Sequence, residues 1–281
     1  GGSGSNGQAS MVSSRSCSVR RSRVAWVKPV PTPRHLAFKR VARRVDQVIE
    51  RFVVAGRSGV QAEGGLLNAL QHATDAETGY RMSEKQLRDE CLTFFLAGHE
   101  TTATAMSWLW YHLAKYPDVA DRMRQEILTV IPNESETAAK VGRLHYCRRV
   151  LLESLRVHSP TWALSRAARE DDTIGNYHID KGTNVLVYVP GIHRHPDYWD
   201  NPQSFDPDRF EREDIERSPA YLPFGVGPRM CIGRHFAETE MLVICSILLR
   251  RHTAAMRDGQ PVIPIAEITL RPKGGLQMTL Q

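Results

Sequence analysis

Residues 79–117, "GYRMSEKQLRDECLTFFLAGHETTATAMSWLWYHLAKYP", limit most strongly what this chain can fold into. The stretch reads as one long helix. Ser83 is a natural N-cap with Gln86 completing a capping box, and Pro117 stops the far end. Leu87, Phe94, Phe95, Met106, Leu109 and Leu113 spread apolar character too widely for a surface helix, so it should run through the interior. A chain built on such an axis is expected to be mainly α, with other helices packed round it.

The rest of the sequence agrees. Helices are expected over a basic segment near residues 38–54, over "GLLNALQHA", from about Val119 to Val130, from about Leu144 to Val157, and over "AETEMLVICSILLRR". Between them, "TIGNYHIDKGTNVLVYVP" is β-branched and broken by glycine, so it reads as a hairpin or small sheet. The tail from Pro261 to Gln281 reads as short strands. The opening "GGSGSNGQAS" is composed like a flexible linker or fusion scar, and residues 1–14 are set aside on that ground.

The net charge of +6 is concentrated. From Arg15 to Arg57 there are 12 Lys/Arg against Asp46 and Glu50. A nucleic-acid arm would have that balance, but Val41, Val45, Val48, Ile49 and Phe52 recur at helical spacing opposite Arg40, Arg43, Arg44 and Arg51. A basic amphipathic surface helix accounts for both, so no nucleic acid is expected as a partner. No apolar run reaches membrane-spanning length, and no signal pattern opens the chain. Cys17, Cys91, Cys147, Cys231 and Cys245 form no C-x-x-C pair and no disulfide framework, which suits a reducing, cytoplasmic setting.

Chemistry concentrates in "LPFGVGPRMCIGRHFA", residues 222–237. A dinucleotide fingerprint fails because Met230 stands where the third glycine belongs, and a P-loop fails for want of G-K-[ST]. A nucleophilic Cys231 would need a base, and His235 lies one helical turn on, but no oxyanion partner accompanies it. A buried structural cysteine remains the plain alternative. A metal-ligand reading uses more of the residues. Cys231 just precedes a helix, whose unpaired N–H groups and dipole favour a thiolate. Gly227 and Gly233 allow backbone to approach the sulfur, and Arg229 offers a fork for a carboxylate such as a haem propionate.

The pattern F-G-x-G-x-R-x-C-x-G, from Phe224 to Gly233, followed by Phe236-Ala237, closely resembles the haem-binding signature of the cytochrome P450 haem-thiolate monooxygenases. The resemblance implies haem b with Cys231 as the axial thiolate on iron. Companion motifs follow in family order. "LLESLRVHSP" carries Glu153 and Arg156, and "FDPDRF" carries Arg209; the resemblance implies that the three form a buried charge network. Alone, Glu153 and Arg156 are an ordinary i,i+3 pair.

"AGHETT", in the middle of the long helix, offers small residues at Ala97 and Gly98 and a Thr101 hydroxyl able to bond the carbonyl one turn back and kink the helix. A packed core helix could use the same residues. In the family pattern Glu100 and Thr101 assist proton delivery to oxygen. Arg166 falls where a propionate-binding arginine often lies, whereas His193 and His195 read as loop residues.

The resemblance begins near Trp26, so the expected fold is a cytochrome P450-like one, N-terminally truncated, over residues 15–281. The implied reaction inserts one atom of dioxygen into a small apolar organic substrate. No flavin or iron–sulfur motif appears, so electrons would come from a separate ferredoxin or flavodoxin/reductase. The alternative is a haem-binding or inactive remnant without turnover.

Overall fold

A computed structural model describes residues 32–57, 65–257 and 261–281. The proposed linker at residues 1–14 lies outside them. The chain divides into two compact units, residues 1–69 and 70–281.

In the first unit the basic helix forms as α1, Pro33–Arg57. Ile49 and Val53 are its buried positions, while Val41, Val48 and Phe52 of the expected apolar stripe stay exposed. The next helix, α2, spans Leu66–His72.

The second unit is organised by α3, Glu84–Lys115. Its start is set locally: the Ser83 hydroxyl accepts from the Gln86 N–H, and the Gln86 side chain accepts in return from the Ser83 N–H at 3.0 Å. Against it pack α4 (Pro117–Val130), α6 (His145–Val157) and α9 (Arg234–Leu249), with the single turn α5 (Thr137–Lys140) between α4 and α6. Leu109 and Leu113 of α3, Met123 and Ile127 of α4, Val150 and Leu151 of α6 and Met241 and Cys245 of α9 close one apolar core. Burying such side chains is worth roughly 1.5–3 kcal/mol each.

The burial of α3 is asymmetric, which corrects the expectation of an interior helix. From Thr102 onward it enters the core, but Phe95, Leu96, Ala97 and Gly98 are exposed. The elements packed against it include α6, α9 and the C-terminal strands Ala254–Met256 and Leu270–Pro272, and in its first half Leu87 is the one buried position.

Among the described residues, the remaining chain forms loops, short helical turns and four separate two-stranded antiparallel sheets. β1 (Ala163–Ala167) pairs with β4 (Asn184–Tyr188), enclosing the hairpin β2 (Asp172–Ile174) and β3 (Tyr177–Ile179). One expected hairpin is thus two nested pairs. After the short turns α7 (Val189–Ile192) and α8 (Glu213–Glu216), the tail forms β5 (Ala254–Met256), β6 (Pro264–Ala266), β7 (Leu270–Pro272) and β8 (Met278–Leu280). β5 pairs with β8 and β6 with β7. No helix among the described residues is long and apolar enough to cross a membrane.

Candidate functional site

The cysteine loop is shaped by two glycines. Gly225 and Gly227 both have φ of +72°, a region that costs any residue with a Cβ about 1–3 kcal/mol. Residues 227–229 make a single 3-10 turn closed by the Met230 N–H on the Gly227 carbonyl at 3.0 Å. The Cys231 N–H then donates to the Phe224 carbonyl at 2.9 Å, so the loop begins and ends on one hydrogen bond. Phe224 anchors it by packing against the main core. The reason for Gly227 is therefore conformational: no heavy atom lies within 4 Å of where its Cβ would stand, which corrects the expected close approach to sulfur. Gly233 does sit beside the thiol, with its Cβ position 3.8 Å from the Cys231 Sγ.

The sulfur is exposed. So are Val226, Met230, Ile232 and Phe236 around it in the sequence, each with at least half of its surface free. Arg229 is exposed and makes no hydrogen bond or ion pair among the described residues. An accessible thiol, an unengaged guanidinium and apolar neighbours fit a porphyrin carrying carboxylates. They fit a cysteine nucleophile poorly, because no hydrogen bond among the described residues joins Cys231 to the exposed His235.

A ring of four charges holds the helix that follows. Arg148 of α6 donates to Glu216 at 2.7 Å and to Glu238 at 3.0 Å, and Arg234 donates to the same two carboxylates at 3.1 and 2.8 Å. Arg234 is the first residue of α9 and lies over the Phe224 ring, 5.6 Å from its centre. Both Arg148 and Glu216 keep their charges: the carboxylates raise the Arg148 guanidinium further, and the two arginines hold Glu216 below the usual carboxylate range against the opposing effect of burial.

Glu153, Arg156 and Arg209 come together. Arg156 is fully buried and donates to both Glu153 oxygens, at 2.7 and 2.8 Å. Its remaining donors reach the carbonyls of His193, Pro202 and Ser204 at 2.8–2.9 Å. Glu153 also accepts from Arg209 Nε at 3.2 Å and from the Asp206 N–H at 2.8 Å. All five N–H protons of the Arg156 guanidinium and both oxygens of Glu153 have a partner, the condition under which a buried ion pair is tolerated.

The residue missed in the sequence is His193. It stands in the turn after α7, a loop position as expected, but it is fully buried. Its Nδ1 lies 2.9 Å from the Arg156 carbonyl, and its Nε2 accepts from the Leu222 N–H at 2.8 Å. A carbonyl on one nitrogen and a donor on the other fix the neutral tautomer protonated at Nδ1. Burial, chiefly, pushes its pKa down to about 4. His193 thus ties the charge centre to the first residue of the cysteine loop. No local pattern signals this, because its partners are 37 and 29 residues away.

Arg166 stands exposed on β1, with Nη1 on the neighbouring Ser165 carbonyl at 2.8 Å. Two residues earlier, Leu164 reaches within 4.0 Å of the Gly225 Cβ position, so this strand borders the cysteine loop. On α3 the Thr101 hydroxyl donates to the Ala97 carbonyl at 2.5 Å, as its spacing suggested, while the helix stays continuous through the bond. A Cβ at Gly98 would meet no atom within 4 Å. Glu100 is exposed, and its carboxylate accepts from the Thr269 hydroxyl at 2.9 Å.

The family model for cytochrome P450 matches residues 6–280, nearly the whole chain. The chain belongs to the cytochrome P450 family. It is 39% identical over 237 residues to the putative cytochrome P450 132 of Mycobacterium bovis, covering 84% of this chain and 50% of that protein. It is 32% identical over 270 residues to human cytochrome P450 4F3, covering 89% and 52%. Cyclooctatin synthase of Streptomyces melanosporofaciens is 32% identical over 244 residues, covering 86% and 53%. This cytochrome P450 chain therefore spans about half the length of the curated relatives it matches. The family's cofactor is haem, with a cysteine thiolate as the axial ligand of iron.

Proposed function

We propose that this chain acts in a haem-thiolate monooxygenase that inserts one atom of dioxygen into a small apolar organic substrate, with Cys231 as the thiolate ligand of haem b. The observation that carries the proposal is the cysteine loop itself: an exposed sulfur held by the Phe224–Cys231 hydrogen bond, with Arg229 unengaged among the described residues. Haem, when bound, supplies the oxygen activation, and thiolate ligation favours O–O cleavage.

The protein's share is positional. Arg229 and Arg166 are the candidate partners for propionates, and Phe224, Gly227 and Gly233 shape the thiolate loop. Ala97 and Gly98 keep one face of α3 free of bulk, and Glu100 and Thr101 are the groups able to hold and pass a proton there. Electrons would arrive from a separate ferredoxin or flavodoxin/reductase.

A second reading, a haem-binding chain without turnover, is favoured by one observation. Phe95, Leu96, Ala97 and Gly98 are exposed, and protected oxygen chemistry needs water excluded there. The test is a reduced carbon-monoxide difference spectrum of the full chain reconstituted with haem. A strongly red-shifted Soret band that disappears in Cys231→Ala is the expected result. No haem uptake, or a band of the histidine-ligated kind, refutes thiolate ligation. A thiolate band without oxygen-dependent product, with redox partners supplied, selects the second reading.

A further inference from the structure

Thr269 is a buried residue in the turn between β6 and β7, and its hydroxyl makes two contacts with α3. It donates to Glu100 Oε1 at 2.9 Å and lies 3.4 Å from the Thr104 hydroxyl oxygen. Glu100 and Thr104 are four residues apart, so they stack on one face of the helix, and Thr269 spans both. A threonine hydroxyl has one proton. Because that of Thr269 is given to the carboxylate, Thr104 must be the donor in the second contact. The hydrogen bonds therefore run one way, Thr104 to Thr269 to Glu100, and their acceptor end is the charge.

The turn is not free to drift. The Trp108 indole N–H donates to the Leu270 carbonyl at 2.6 Å, the Trp162 indole N–H donates to the Glu267 carbonyl at 2.9 Å, and the Leu270 N–H donates to the Pro160 carbonyl at 2.9 Å. Three hydrogen bonds from two segments distant in sequence, α3 and residues 160–162, thus fix the backbone that carries Thr269. The charged groups nearest in the turn, Glu267 and Arg271, are bonded to each other at 2.6 Å, and the neighbouring His99 on α3 is stacked on Phe95.

We infer that Thr269 is a positioning residue for Glu100, holding its carboxylate in one orientation on α3. This rests on the reading of Glu100 as the proton-handling acid.

The full chain, labelled with 13C at the glutamate carboxyls, can be followed by NMR at fixed neutral pH without haem, and Glu100→Gln identifies the resonance. Thr269→Val is expected to move the Glu100 carboxyl resonance toward those of freely rotating glutamates and to lower its order, Thr269→Ser to restore both, and Thr104→Val to cause a smaller change. A Thr269→Val resonance that keeps the parent's position and order, or a serine variant that fails to restore them, overturns the inference. Failure of the underlying reading is separate. If haem-loaded Glu100→Gln keeps the parent's pH profile and its ratio of product to oxygen consumed, Glu100 is not the proton-handling acid, whatever the resonance shows.

Discussion

His193 makes the structure sensitive to acid in a calculable way. Its pKa of about 4 in the folded chain, against 6.5 for an ordinary histidine, leaves a gap of about 2.5 pH units. At about 1.4 kcal/mol per unit, the neutral buried ring is worth about 3–4 kcal/mol. The sign follows from proton uptake. Between pH 6.5 and 4 the unfolded chain binds a proton at this position and the folded chain does not, so stability falls as pH falls through that window. Above 6.5 the contribution is complete. His158, whose pKa burial pushes down to about 3, and His112, pushed well below its usual value by burial, act in the same direction.

A variant separates the three. His193→Gln keeps a neutral amide but does not titrate, so its constant cost in lost hydrogen bonding cancels when pH values are compared. Urea unfolding midpoints of parent and variant, followed by tryptophan fluorescence, should be measured from pH 7 to 4.5. Trp199, whose ring centre is 6.2 Å from that of His193, supplies a local probe. The stability advantage of the parent should shrink by about 2–3 kcal/mol across the range. A difference that stays constant with pH would show that His193 is not held neutral by the fold, and the reasoning would fail.

Other expected outcomes are as direct. Arg156→Ala leaves Glu153 buried with only Arg209 as a charged partner and should cost about 3–5 kcal/mol in urea unfolding, with lysine unable to rescue; a loss below about 1 kcal/mol would contradict the assigned geometry. Cys231→Ala and Arg229→Gln should each change stability by no more than about 0.5 kcal/mol, since both side chains are exposed, yet abolish the thiolate Soret band and weaken haem binding, respectively. Gly227→Ala should destabilise the loop by about 1–3 kcal/mol through its positive φ, whereas Gly98→Ala should stabilise α3 by up to about 1 kcal/mol, and thermal melts distinguish the two.

What could be read in advance was what depends on neighbours in the sequence. The Ser83–Gln86 box lies within one turn and announced α3 accurately, and the Thr101 bond to Ala97 follows from helical spacing alone. Glu153, Arg156 and Arg209 were assembled from family order and not from spacing, since Arg209 is 56 residues from Glu153. His193 and Thr269 were missed because their partners lie on other segments, 169 residues away in the case of Thr269 and Glu100. The exposure of Phe95 and Leu96 was also invisible, because apolar spacing says which face wants cover and not whether any part of the chain supplies it.

The two charge assemblies differ in how they are wired. Glu153–Arg156 is a hub: the carbonyls of residues 193, 202 and 204 meet on one guanidinium, and its removal breaks all three of these contacts at once. Arg148, Glu216, Arg234 and Glu238 form a closed circuit, in which every member has two neighbours and any one link can be cut while the other three still join the set. Sequence drift should therefore be tolerated unequally across this half-length chain. The circuit beneath α9 can exchange its members one at a time, while the hub admits no intermediate step.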